Sequence, residues 1–323
     1  MLDRILPDRF ILWLIAAVAL AALLPVAGHG AGALDWVTYA AIFSLFFLHG
    51  ARLPREALIA GVTGWRLHLA ILALTFIAFP AIGIALARAF PGLLSPELWT
   101  GILYLCALPS TVQTSIAYTS IARGNVAGAV AAAAFSNLLG VFLTPFLVAA
   151  MLQAEGSEIA LGGIWRIVAL LFLPFLLGHA LRPFVAPRIE GKPRLTTIVD
   201  KGTILLAVYG AFSAATVEGV WSRIPPGEIA VLSALLAALL IFVLALAWAV
   251  GRWGGFTHED RAAILFCGSV KGLVSGVPMA RILFPGPMAG IVIVPIMIFH
   301  AIQLVVGAWI AGSMGREAKA QGQ

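Results

Sequence analysis

Ten apolar runs, each about as long as a lipid bilayer is thick, are set apart by short charged segments along the 323 residues of this chain. Roughly 17 to 25 apolar residues in a helix cross the ~30 Å hydrocarbon core. In hydrocarbon every backbone N–H and C=O must be paired within protein, and a helix does this unaided. The runs centre on 10–26, 36–50, 67–87, 98–122, 126–152, 165–181, 203–217, 229–251, 262–280 and 289–311. The second, sixth and seventh are short, which is tolerable for a span that tilts little. With 62% hydrophobic and 11% charged residues, too few polar side chains exist to cover a water-soluble surface. A soluble enzyme, a nucleic-acid binder and a disordered scaffold are thereby excluded. The expected fold is an all-α integral membrane protein in a lipid bilayer, and the net charge of +6 is no nucleic-acid footprint.

The first run resembles a secretory leader in having Arg4 before it and small residues after it. Its length, the acids Asp3 and Asp8 in its flank and the nine runs that follow instead make it the first helix. Lys and Arg concentrate on the cytoplasmic side of membrane proteins. With the amino terminus inside, the inner segments hold 15 of them, including Arg4, Arg52, Arg55, Lys192 and Lys201, and the outer segments hold Arg88, Arg166, Arg223 and Arg281. This split predicts a multi-pass protein of the cell (inner) membrane with both termini cytoplasmic. The stretch 182–201 reads as a cytoplasmic loop, and Cys106 and Cys267 as free thiols within spans.

Ten spans divide into two five-helix units, 1–160 and 161–323. An odd-numbered unit repeated in one chain inserts in opposite orientations, the plan of many secondary transporters. A shift of 158 residues places Ala122-Arg123 on Ala280-Arg281 and Thr111-Val112-Gln113 on Ser269-Val270-Lys271. These two segments are also the most polar at membrane depth. Span four carries Pro109 followed by Ser110, Thr111, Gln113, Thr114 and Ser115. Proline removes a donor and clashes with the preceding turn, so this helix is either kinked, with its hydroxyls bonded to its own backbone, or broken into an ion or substrate site. Span nine, with Gly268, Gly272, Gly276 and Pro278, is a poor continuous helix too.

Lys271 stands at the centre of span nine, with nine residues of the run on either side, too far in for its amine to reach an interface easily. A lysine at that depth costs roughly 2.5 to 3.5 kcal/mol on insertion scales, so something compensates it. No span offers a central acid, and Glu218 lies near a span end. The candidate partners are carbonyls and hydroxyls of the two broken helices, an anionic substrate, or loss of the proton.

The segments LPSTVQTSIAYTSIARGN, FSNLLGVFLTPFL and FCGSVKGLVSGVPMA resemble the bile acid:sodium symporter superfamily, in its SBF-like branch related to an orphan member of solute carrier family ten. The resemblance runs over nearly the whole chain. It implies a panel domain of helices 1, 2, 6 and 7 and a core domain of helices 3–5 and 8–10. The unwound fourth and ninth helices would cross in the core, and transport would proceed by one domain shifting against the other. Sodium-coupled members bind two Na⁺ through residues that fall here on Cys267, Lys271, Ser115, Ile116, Ala129, Ala133 and Thr75. Cys, Ile and Ala supply no oxygen ligand of the kind Na⁺ needs. Coupling to H⁺, or to no ion, is therefore expected over two Na⁺, with the Lys271 ammonium in the sodium region as a static tether or a titrating group.

The candidate substrate- or ion-binding residues are thus Lys271, Ser269, Cys267, Ser110, Thr111, Gln113, Thr114, Ser115, Thr75, Asn137, Ser275 and His300. Ser136 and Gln303 are weaker candidates for the cavity wall, each equally able to make an interhelical hydrogen bond. His49 and His68 read as structural residues near interfaces. No cofactor or metal site is expected. A carrier for a small organic anion leads; a channel or regulatory protein without turnover, and an intramembrane hydrolase using Ser275 and His300, are the alternatives. The hydrolase is disfavoured because Leu273-Val274-Ser275-Gly276 lacks the GxSG pattern. The chain is expected to work as a monomer or homodimer.

Overall fold

The computed structural model describes residues 9–52, 64–154, 161–189, 191–284 and 286–320. Arg4 and Arg55 of the charge count, and the boundary at 160 between the two units, lie outside the described residues. The helices are α1 Arg9–Leu23, α2 His29–Ala51, α3 Trp65–Ala89, α4 Pro96–Ala107, α5 Gln113–Ile121, α6 Val126–Ala154, α7 Leu161–Ala180, α8 Arg182–Ile189, α9 Pro193–Val217, α10 Pro226–Trp253, α11 His258–Ser269, α12 Leu273–Leu283 and α13 Met288–Ala320. Every apolar run of the sequence is helical over most of its length. Among the described residues, seven helical stretches are long and apolar enough to cross a membrane, or eight if the bent pair Leu170–Ala180 and Arg182–Ile189, which meet at 83°, is one span. The exterior is greasy: Trp13, Trp36, Trp253, Trp309 and Ile77 are exposed, as suits side chains facing acyl tails and interfaces.

Three local features depart from plain rods, and proline accounts for two. Before Pro80, α3 contains a π turn at Leu74–Ala78. After α4, Leu108 is extended (φ −71°, ψ 152°), the conformation forced on a residue that precedes proline, and α5 resumes only at Gln113. Between α11 and α12, Val270 and Gly272 are likewise extended. Spans four and nine are therefore interrupted and not merely kinked. The stretch 182–201 is not the loop expected of it. Arg182–Ile189 forms a helix, and α9 begins at Pro193, ten residues before the apolar run at 203, because Pro193 at the first turn starts a helix without strain.

Helix α2 packs chiefly on α7 and α9, and α9 also packs on α1. The α2–α7 contact brings backbone against backbone: a Cβ on Gly50 would fall 1.9 Å from the Phe175 carbonyl oxygen, and one on Gly178 1.9 Å from that of Phe47. On the other side, α13 packs on α4, α5, α10 and α12, and α11 packs on α3, α5, α6 and α10. Residues Ala262–Ser269 of α11 are all buried, so this helix lies at the centre of its group.

Candidate functional site

The interruption after α4 frees carbonyls that a continuing helix would have used, and those from Leu105 to Ser110 all have partners. Leu105 O accepts from Leu108 N–H at 3.2 Å and Ala107 O from the Thr144 hydroxyl at 2.9 Å. Cys106 O and Leu108 O accept from Lys271 Nζ at 2.9 and 2.7 Å. Pro109 O accepts from Gly272 N–H at 2.9 Å, joining one break directly to the other. Ser110 O accepts from Asn137 Nδ2 at 2.9 Å, and Ser110 N–H donates to Ser136 Oγ at 3.0 Å. This is the satisfaction that backbone at membrane depth requires.

The third bond from Lys271 depends on the π turn. There Phe79 N–H reaches back five residues to Leu74 O, not four to Thr75 O. The Thr75 carbonyl, so released, accepts from Lys271 Nζ at 3.0 Å. The ammonium also sits 4.0 Å from the centre of the Phe79 ring, a cation–π contact. All three of its protons are thus used, and the residue is 1% exposed. A positive charge at the carboxyl end of α4 is also where the helix dipole favours it. Gln303 holds the other side of the break: its Oε1 accepts from Lys271 N–H at 2.9 Å, and its Nε2 donates to Lys271 O at 3.0 Å.

Beside this crossing lies a cavity of about 370 Å³. Its walls come from α1, α2, α7 and α9 on one side and from the two breaks, α6 and α13 on the other. Of the candidate residues, Ser110, Thr111, Gln113, Thr114, Asn137, Ser275 and His300 line it. Ser110 Oγ and Ser275 Oγ are buried with no hydrogen-bond partner. The other five candidates lie behind the wall. Ser115 and Ser269 donate to the carbonyls of Thr111 and Leu265, four residues back in each case. The Thr75 hydroxyl donates to Ile71 O at 2.8 Å, so Thr75 reaches Lys271 through its backbone. Cys267 is buried, with Sγ 3.8 Å from Ala129 O, and Lys271 points away from the cavity into the helices. Of the weaker candidates, Ser136 and Gln303 make interhelical hydrogen bonds.

The cavity's charged residues escaped the sequence reading. Arg52, Asp200, Lys201 and His49 line its other end. Arg52 Nη1 donates to Asp200 Oδ2 at 3.3 Å, and His49 Nε2 lies 3.7 Å from Asp200 Oδ1. Lys201 Nζ rests 5.1 Å from the centre of the Phe10 ring. Arg52 and Lys201 had looked like loop charges and His49 like a structural interface residue, while Asp200 fell within the presumed loop. The early start of α9 carries the acid and the lysine into the helix wall.

Ser275 and His300 share the cavity, but Ser275 Oγ has no hydrogen-bond partner. The nucleophile–base contact that defines a hydrolase is absent between them.

Comparison with known proteins agrees with a transporter. The chain is 48% identical to an uncharacterized protein of Pseudomonas aeruginosa, over 97% of this chain and 94% of that protein. It is 43% identical to YfeH of Escherichia coli, named as an inferred symporter, over 98% of this chain and 96% of that one. Sodium/bile acid cotransporter 7-B of Xenopus laevis is 27% identical over 95% of this chain and 92% of its own. These relatives are transporters by name where a function is named, not enzymes, and a small-molecule substrate and a lipid surround follow from that class. The profile of the SBF-like CPA transporter family matches residues 8–316, and this multi-pass membrane protein belongs to that family.

Proposed function

We propose that the chain is a secondary active carrier that moves a small organic anion across the cell membrane by alternating access. Ten crossings follow if the 15-residue α1 and the interrupted α4–α5 pair are counted with the eight stretches that qualify by length and composition. The two units 1–160 and 161–323 are then inverted repeats with both termini in the cytoplasm. In support, α2 packs on α7 as α9 packs on α1, the exchange that a two-fold relation between the units requires. The panel consists of α1, α2, α7 and α9, and the core of α3 to α6 and α10 to α13.

The observation that carries this reading is the cavity between those two groups. It combines apolar walls (Phe46, Leu138, Val141, Phe175) with two unpartnered hydroxyls at the break and two cations against one acid at the far end. An amphipathic anion matches that wall. The positive excess that favours it belongs to Arg52 and Lys201, since Lys271 faces elsewhere.

Lys271 takes the region that sodium occupies in coupled relatives. Sodium does not fit there, because the carbonyl oxygens of Thr75, Cys106 and Leu108 that would ligate it already accept from the ammonium. Of the two roles considered for Lys271, the enclosed geometry favours the static tether.

The test is uptake of labelled organic anions into proteoliposomes, with counterflow. Saturable, sodium-independent uptake that accelerates on preloading is expected, with Arg52→Gln weakening it on the order of tenfold, about 1.4 kcal/mol. Unitary conductance without counterflow would overturn the carrier reading.

A further inference from the structure

The cavity contains two histidines, His49 and His300, and their surroundings fix different roles for them. Gln303 accepts from Lys271 N–H and donates to Lys271 O, so the orientation of its amide is set by the backbone it clamps. Its second N–H then points to His300 Nδ1 at 2.8 Å, which must accept. His49 is arranged the other way. Its Nε2 faces Asp200 Oδ1 at 3.7 Å, an oxygen with no hydrogen-bond partner, so a proton on that nitrogen meets a carboxylate.

The other charged groups around His49 define the balance. On its own helix Arg52 follows at three residues and binds the second Asp200 oxygen. From α9, Asp200 and Lys201 share the cavity wall with it. From α7, Phe175 lines the cavity, and His179 lies farther along against Gly50. Helix α8, which touches the end of α2, carries Arg182 and Arg188. With His49 neutral, the cavity wall holds Arg52 and Lys201 against Asp200; with His49 protonated it holds three cations against one acid.

We propose that His49 is a proton-binding site coupled to the anion site, with Asp200 as its counter-ion. Each proton bound adds a positive charge to a cavity that takes an anion, so the two ligands favour each other reciprocally. This rests on the carrier reading and supplies its coupling ion: with both ligands moving together the carrier is an H⁺:organic anion symporter, and the proton resides on His49, not on Lys271.

The test uses the purified full chain in nanodiscs and 2-naphthalenesulfonate, an amphipathic anion that stays ionised across the histidine range, so that any pH dependence belongs to the protein. Binding is read by thermal shift, and proton uptake on binding by an indicator dye in weak buffer. Wild type should bind roughly tenfold more tightly on the acid side than on the alkaline side, a size common for coupled sites, and should take up protons. His49→Gln should bind equally at both ends without uptake. Asp200→Asn, which keeps the imidazole, should flatten the response over the same range. His258→Gln, at the start of α11 and outside the cavity, should behave as wild type. Binding that ignores pH in wild type, or a pH response lost in His179→Gln or His300→Gln but kept in His49→Gln, overturns the proposal and leaves the carrier standing. No binding at any pH overturns the anion reading and the coupling with it.

Discussion

Lys271 shows how one side chain can be fixed at membrane depth without an acid beside it. Its compensation is distributed over three carbonyls and an aromatic face, each freed or placed by a proline-linked irregularity. Removing the amine leaves those carbonyls buried without a donor, at a cost of about 1 to 3 kcal/mol for each group left unpaired. Lys271→Met is therefore expected to lower the apparent melting temperature in detergent sharply, by more than Ser269→Ala, whose hydroxyl only returns to its own helix. Equal melting temperatures would contradict the tether. The need for compensation was legible in the sequence, but its source was not: carbonyls and hydroxyls of both broken helices, an anion and loss of the proton all stood open, and the structure supplies the carbonyls of Cys106, Leu108 and Thr75. Thr75 was legible only as a position; that its carbonyl, and not its hydroxyl, serves Lys271 depends on the register of a π turn that no residue pattern announces.

Among the elements, the helices were the most legible part of the chain, because long apolar runs at bilayer length have one stable form. Their ends were less so. Polar residues at a helix end do not stop it if the turn carries no breaker, and α9 begins ten residues ahead of its apolar run, carrying Asp200 and Lys201 into the cavity wall. The α2–α7 pair is set by small residues at close approach. Gly178→Ala would put a methyl group 1.9 Å from the Phe47 carbonyl oxygen, forcing the helices apart at a cost of about 1 to 3 kcal/mol. The matched change Gly202→Ala in α9, where a Cβ meets nothing within 4 Å, should be neutral or stabilising by up to about 1 kcal/mol. Thermal unfolding of the two variants side by side reads the contrast, and equal losses would show that the approach is looser than the backbone contact implies.

Over the whole molecule, the cavity occupies one end of the contact between the two helix groups, and an ion pair occupies the other. Asp35 in the second turn of α2 accepts from Arg281 in the last turn of α12. His49 lies 14 residues beyond Asp35, about 21 Å along the helix. In the alternating-access carrier proposed above, the closed end would part when the cavity end shuts. Asp35→Asn is therefore expected to raise labelling of Leu34→Cys by an impermeant maleimide severalfold, and exchanging the two residues, Asp35→Arg with Arg281→Asp, should reverse the effect. Labelling unchanged in Asp35→Asn would remove this pair from the gate.

The sequence by itself determined the class of fold and the positions of the helices, and marked spans four and nine as unable to run on as plain rods, because apolar length, proline and glycine act locally and leave the backbone few options in lipid; that both are broken and not kinked came from the structure. Only the tertiary structure decided what each polar group does. A side chain's role at depth is set by which orphaned donor or acceptor from a distant segment arrives beside it. Lys271 consequently turned inward to the freed carbonyls of α3 and α4, and the cavity's charge came from residues at helix ends that the sequence had left to the loops.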